Sequence, residues 1–135
     1  MYAVGITNKT NDCMLDNFAV GQMASNIPIT ITQQDANVTV VVGGIAGAAL
    51  TLSLGSATFH GTVDGAELSL QLFGTRSVTK NSCAYTMNAT IHGTLVGDVL
   101  QGSITYAPAT NGSPDCGILT SCTSSQDFNG TRPPT

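Results

Sequence analysis

Apolar residues recur at every second position along most of this chain, and that period limits its fold more than any other feature. A period of two sends successive side chains to opposite faces of an extended strand. Tyr2, Val4 and Ile6 alternate with Ala3, Gly5 and Thr7. Ile27, Ile29 and Ile31 alternate with Pro28, Thr30 and Thr32, and Val38, Val40 and Val42 continue the pattern. Leu50, Leu52 and Leu54 read as another strand after a flexible Gly43–Ala49 connection. Phe59, Gly61 and Val63 then share a face, and so do Leu68, Leu70 and Leu72 beyond the Asp64-Gly65 turn. Tyr85, Met87, Ala89, Ile91, Gly93 and Leu95 form the longest apolar row, and Leu100, Gly102, Ile104 and Tyr106 form the last.

No helical period competes over a long window. The expected fold is therefore all-β, an antiparallel meander of about eight strands closed or nearly closed into an up-and-down barrel. A Greek-key sandwich is the alternative, with the connections at 43–49 and 74–82 crossing between sheets. Residues 8–26 read as a long loop or a short helix over one barrel end. The segment Ala57-Thr58-Phe59-His60-Gly61-Thr62-Val63 resembles Ala89-Thr90-Ile91-His92-Gly93-Thr94-Leu95, so one hairpin design is used twice. Inward glycines at 61, 93 and 102 suit sharply coiled strands in a small barrel.

At 135 residues the chain reads as one domain, 1–135, ending near Arg132-Pro133-Pro134. From about residue 108 it becomes a loop-rich tail pinned by cysteines, with Ile118, Leu119 and Phe128 available to lie against the barrel. Charged residues make up 9% of the chain, well below the usual quarter, and the net charge is −4. Lys9, Arg76, Lys80 and Arg132 are the fixed cations and form no cluster, which argues against nucleic acid as a partner. No apolar run is long enough for a membrane-spanning helix. No secretory signal pattern opens the sequence, and Met1 reads as the start of a mature domain.

Cys13, Cys83, Cys116 and Cys122 are even in number and lack paired zinc-ligand spacings, so two disulfides and an oxidising compartment are expected. Three pairings are open. Cys116–Cys122 with Cys13–Cys83 is preferred, because it joins the two late cysteines in a small loop.

Residues with chemical potential are sparse. His60 and His92 sit at equivalent places in the repeat, on polar faces. One strand between them would separate their backbones by about 10 Å, wide for a shared metal. Asp35, Asp64 and Asp98 fall in turns, where Asp supports the backbone. No serine lies in a nucleophile-elbow context, and no glycine loop precedes a helix to cradle phosphate. No catalytic residue, metal or cofactor is assigned. Sequons at Asn8, Asn37, Asn88, Asn111 and Asn129 would carry glycans in a eukaryotic secreted protein. The many outward threonines suit exposed strands.

The meander, the late cysteines and the Phe59-His60-Gly61-Thr62-Val63-Asp64-Gly65 hairpin resemble small lipocalin-like barrels. They are also similar to domains of secreted or outer-membrane lipoproteins of bacteria. The resemblance covers roughly residues 2–128 and implies a carrier in the cell envelope or outside the cell. Lipocalins carry Gly-x-Trp in the first strand, whereas this chain has Tyr2-Ala3-Val4-Gly5 and no Trp, so no family binding residue is carried over.

The expected function is a non-enzymatic extracellular or cell-surface binding domain for a small apolar molecule. Phe59, Leu70, Leu72, Tyr85, Met87, Ile91, Ile104 and Tyr106 would line its interior. The alternative is a structural or protein-interaction module of the cell surface with a filled core and a protein partner.

Overall fold

The computed structural model describes residues 2–15 and 18–132. The strands are β1 (Tyr2–Asn11), β2 (Met23–Gln34), β3 (Asn37–Val42), β4 (Thr58–Asp64), β5 (Glu67–Leu72), β6 (Val78–Lys80), β7 (Cys83–Val96), β8 (Val99–Thr110) and β9 (Ser124–Thr131). Each barrel strand pairs with its sequence neighbour, β5 pairs with β7, and β9 lies between β8 and β1. The result is a closed antiparallel barrel of eight strands, with β6 as an extra strand along the start of β7. The meander follows the expected up-and-down order, and the Greek-key alternative is excluded.

The two ends of the barrel differ. At one end, tight two-residue turns join Gln34 to Asn37, Asp64 to Glu67 and Val96 to Val99. Asp35, Gly65 and Gly97 open these turns at φ 55°, 61° and 60°, a conformation that Gly, Asp and Asn tolerate best. Val38, Leu68, Leu100 and Tyr2 are buried behind them, and the Arg132 guanidinium lies 5.8 Å from the centre of the Tyr2 ring while pairing with Asp98. At the other end run the long connections 12–22, 43–57, 73–82 and 111–123.

Inward-facing residues on the eight strands form one apolar core. Phe59, Leu68, Leu70 and Leu72 are almost wholly buried, whereas Ser69 and Gln71 between them are exposed. The inward glycines permit the close approach that a barrel this small requires. Gly93 and Gly102 face each other across β7 and β8, and Phe128 is the register partner of Gly102 on β9. A Cβ on Gly93 would stand 3.0 Å from the Phe128 ring, so the aromatic side chain occupies the space the glycines leave.

Three expectations are corrected, and the expected 8–26 loop is shorter, because β1 runs on to Asn11 and β2 begins at Met23. Leu50–Leu54 is not a strand, and Gly43–Ala49 is not a flexible link: Gly44–Leu54 forms helix α1. Ala and Leu favour helix, and Gly47, Leu50 and Leu54 fall on one helical face, where Gly47 and Leu54 are buried. The helix ends at Gly55, whose φ of 97° and N–H bond to Thr51 O make a left-handed cap. The loop-rich tail also fails from Ser124 onward. Ser124, Gln126, Phe128 and Gly130 alternate inward on β9, but only Phe128 is apolar, so the period is hidden. Loop character holds for 111–123, which contains a 3-10 segment, Pro114–Thr120, with Ile118 exposed. Pro133 and Pro134 of the proposed domain end lie outside the described residues.

The third correction concerns the disulfides. All four cysteines are paired, but as Cys13–Cys122 and Cys83–Cys116. Pairing of β9 with β1 brings Cys122 beside Cys13, and the 3-10 segment sets Cys116 over the start of β7. Each bridge closes a long loop, 109 and 33 residues in separation, worth on the order of 3–5 kcal/mol in the chain-entropy account.

The alternation on β5 gives a direct check. Leu70→Asp places an unpaired carboxylate in the core at a cost of several kcal/mol, comparable with the stability of a small domain. It should abolish cooperative thermal unfolding, while Ser69→Asp melts near the parent temperature.

Candidate ligand cavity

The long-loop end of the barrel opens into a cavity of about 1530 Å³ that reaches between the strands. Pockets for drug-sized ligands run roughly 300–1,000 Å³. The cavity wall is mostly apolar. Several inward side chains on it are only half-buried, among them Ile6, Ile31, Val42, Tyr85 and Ile104. They point into the barrel yet keep accessible surface, which a filled core would have removed.

Of the eight expected interior residues, Phe59, Leu70, Tyr85, Met87, Ile91, Ile104 and Tyr106 border the cavity. Leu72 is buried in the core but does not border it. The alternation places all of these inward, and the position of α1 and the loops decides which meet open space. Ala46 and Leu50 of α1 form part of the wall, and Leu15 and Phe18 come from the 12–22 loop.

That loop is held by two asparagines of β1. Asn11 Oδ1 accepts from the Leu15 N–H at 2.8 Å, and its Nδ2 donates to Leu15 O at 3.1 Å and Phe18 O at 2.9 Å. Asn8 Nδ2 donates to Ala19 O at 3.0 Å. Phe18 is thereby set edge-on to the Tyr106 ring, with centroids 6.2 Å apart.

Beneath Phe18 lies a buried polar chain. The Tyr106 hydroxyl donates to Gln126 Oε1 at 2.7 Å, and Gln126 Nε2 donates to Asn8 Oδ1 at 2.8 Å. Burial pushes the Tyr106 phenol well above its ordinary pKa, so it stays a neutral donor. Among the described residues, no buried side-chain nitrogen or oxygen lacks a partner. Sequence reasoning missed Gln126 because β9 was unread as a strand. Asn8 was legible in principle: Tyr2, Val4 and Ile6 set a period whose next inward position is residue 8.

The histidines lie elsewhere. His60 and His92 are exposed on the outer face with β5 between their strands, as the repeat implied. His92, Ser103 and Asp127 form one row across β7, β8 and β9. Serine stands in the middle of that row, whereas a nucleophilic relay needs histidine there. Asp127 is also 3.6 Å from Lys9 Nζ.

A closed eight-stranded antiparallel barrel with two disulfides and an opening at one end is compatible with a lipocalin-like barrel. No protein family, curated protein or solved structure matches the chain.

Gln126→Leu removes the partner of two buried groups, while Tyr106→Phe removes one donor. The first should cost about 2–3 kcal/mol and the second about 1 kcal/mol, measured by urea unfolding. A smaller cost for Gln126→Leu would show that water takes its place in the chain.

Proposed function

We propose that this protein is a non-enzymatic binding or carrier domain that takes a small apolar molecule into the long-loop end of its barrel. The observation that carries this reading is the set of half-buried, inward aliphatic and aromatic side chains around the cavity. Apolar ligand surface laid against them would gain roughly 25 cal/mol per Å² removed from water. The paired cysteines are consistent with an oxidising compartment, and the resemblance to bacterial envelope lipoproteins and lipocalins favours the periplasm, the outer-membrane surface or the extracellular space.

A second reading, a protein-interaction module of the cell surface, is favoured by a different observation. Met14, Met23, Ile45, Leu52 and Phe73 are exposed at the same end, Ile45 at 92%. An apolar rim of this kind fits a protein partner as well as a ligand entrance.

Titration with the neutral probe N-phenyl-1-naphthylamine separates the two. A carrier should take up about one probe per chain, and Ile104→Trp, which fills the cavity from a position with space around it, should weaken uptake about tenfold without unfolding the protein. Absence of saturable uptake by the parent protein leaves the interaction module as the better reading.

The outer-face histidines take no part in this scheme. His60→Gln with His92→Gln should leave thermal stability and probe uptake unchanged. Elemental analysis of protein prepared without a histidine tag provides the contrary outcome: one metal ion per chain, lost in the double variant, would replace the carrier reading with metal-dependent chemistry.

A further inference from the structure

The cavity has two polar regions with different capacities. The inner one, Tyr106–Gln126–Asn8, is already satisfied by its own hydrogen bonds and carries no charge. A charged ligand group placed there would lose its hydration without an ionic partner. Any charged end of a ligand is therefore held at the mouth.

Two cations stand at the mouth. Lys9 pairs with Asp127 and Arg132 with Asp98. That leaves Arg76 and Lys80, which make no ion pair among the described residues, and both border the cavity from the 73–82 connection. In a chain of net charge −4, the two cations without an ion pair among the described residues thus border one opening. Among the described residues, Asp115 is the carboxylate bordering the same space, and its Oδ2 already accepts the Ser82 N–H at 3.0 Å. The carboxylates Asp35, Asp64, Glu67 and Asp98 lie at the opposite, tight-turn end.

Resting on the carrier reading, we infer that the ligand is a long-chain amphiphile with an anionic head, a carboxylate or a phosphate. Its chain lies in the barrel and its head meets Arg76 and Lys80 at the rim. Arg76 offers a planar pair of donors to an oxyanion, and Lys80 adds a compact charge on a flexible stem.

The test uses three probes of one chain length, hexadecanoate, hexadecyl phosphate and hexadecan-1-ol, each displacing N-phenyl-1-naphthylamine from the intact protein. At least one anion should bind roughly three- to tenfold tighter than the alcohol, as expected of partly solvated charge pairs. Whichever anion gains more identifies the head. Arg76→Gln with Lys80→Gln should remove the preference while leaving alcohol binding unchanged, and salt at about 0.5 M should shrink it in the parent protein. Alcohol binding equal to that of both anions, or a preference that survives the double substitution, overturns this inference and leaves the carrier reading standing. Binding of none of the three overturns the carrier reading as well.

Discussion

Insertion of the last strand between the first and the penultimate strands is the constraint on which the rest of the structure depends. Without β9, β1 and β8 would each present an unpaired edge, and the interior would be open along one side. β9 is a poor strand by composition: Ser124, Ser125, Gln126, Asp127 and Asn129 offer little apolar surface. Its place is held by ladders on both sides, by Phe128 against the inward glycines, and by the Cys13–Cys122 bridge at its entry. A covalent link close to the start of such a strand limits how far it can fray, so the bridge protects closure where apolar burial is weakest.

Closure explains the difference between the two ends. Two-residue turns leave little backbone to spare, and the side chains behind them fill the narrow end. The long connections at the other end are tied down locally, by Asn11 and Asn8 under one loop and by Cys83–Cys116 under another. They stand around the opening without filling it. The buried polar chain serves the same order: Gln126 on β9 bonds to Tyr106 on β8 and Asn8 on β1, so one side chain joins the three strands whose pairing completes the barrel. In a low-dielectric interior such a network discriminates between registers, because a slip of one residue would turn Gln126 outward and leave its two partners unsatisfied.

Much of this architecture was legible in the alternation. Strands with apolar residues at every second position were placed correctly, and seven of the eight interior residues border the cavity. The failures share one cause: a period can be hidden or imitated. On β9 the inward residues are polar or glycine, so their burial depends on partners far away in sequence. In α1, Leu50, Leu52 and Leu54 imitate a strand, although Gly47, Leu50 and Leu54 have the spacing of a helical face. Cysteine pairing was out of reach for a related reason, since it follows from β9 lying beside β1. The apolar interior was readable, but the opening was not, because it depends on where α1 and the 12–22 loop come to rest.

Helix α1 is the element that would join the fold to the proposed carrier function, through the surface it leaves uncovered. Gly47 and Leu54 are buried and Leu50 is half-buried, while Ile45, Ala48, Ala49 and Leu52 lie exposed at i, i+3, i+4 and i+7. A surface helix ordinarily turns polar residues outward; this one is apolar on both sides. Its inner face is incompletely covered as well, because Ala46 and Leu50 border the cavity. Ligand chains entering the barrel would cover that inner face and strengthen the docking of the helix. By linkage, a ligand that binds only the folded barrel stabilises the elements it contacts. On the carrier reading, the packing of the helix would depend on occupancy. The β-ladders supply the wall on which it packs.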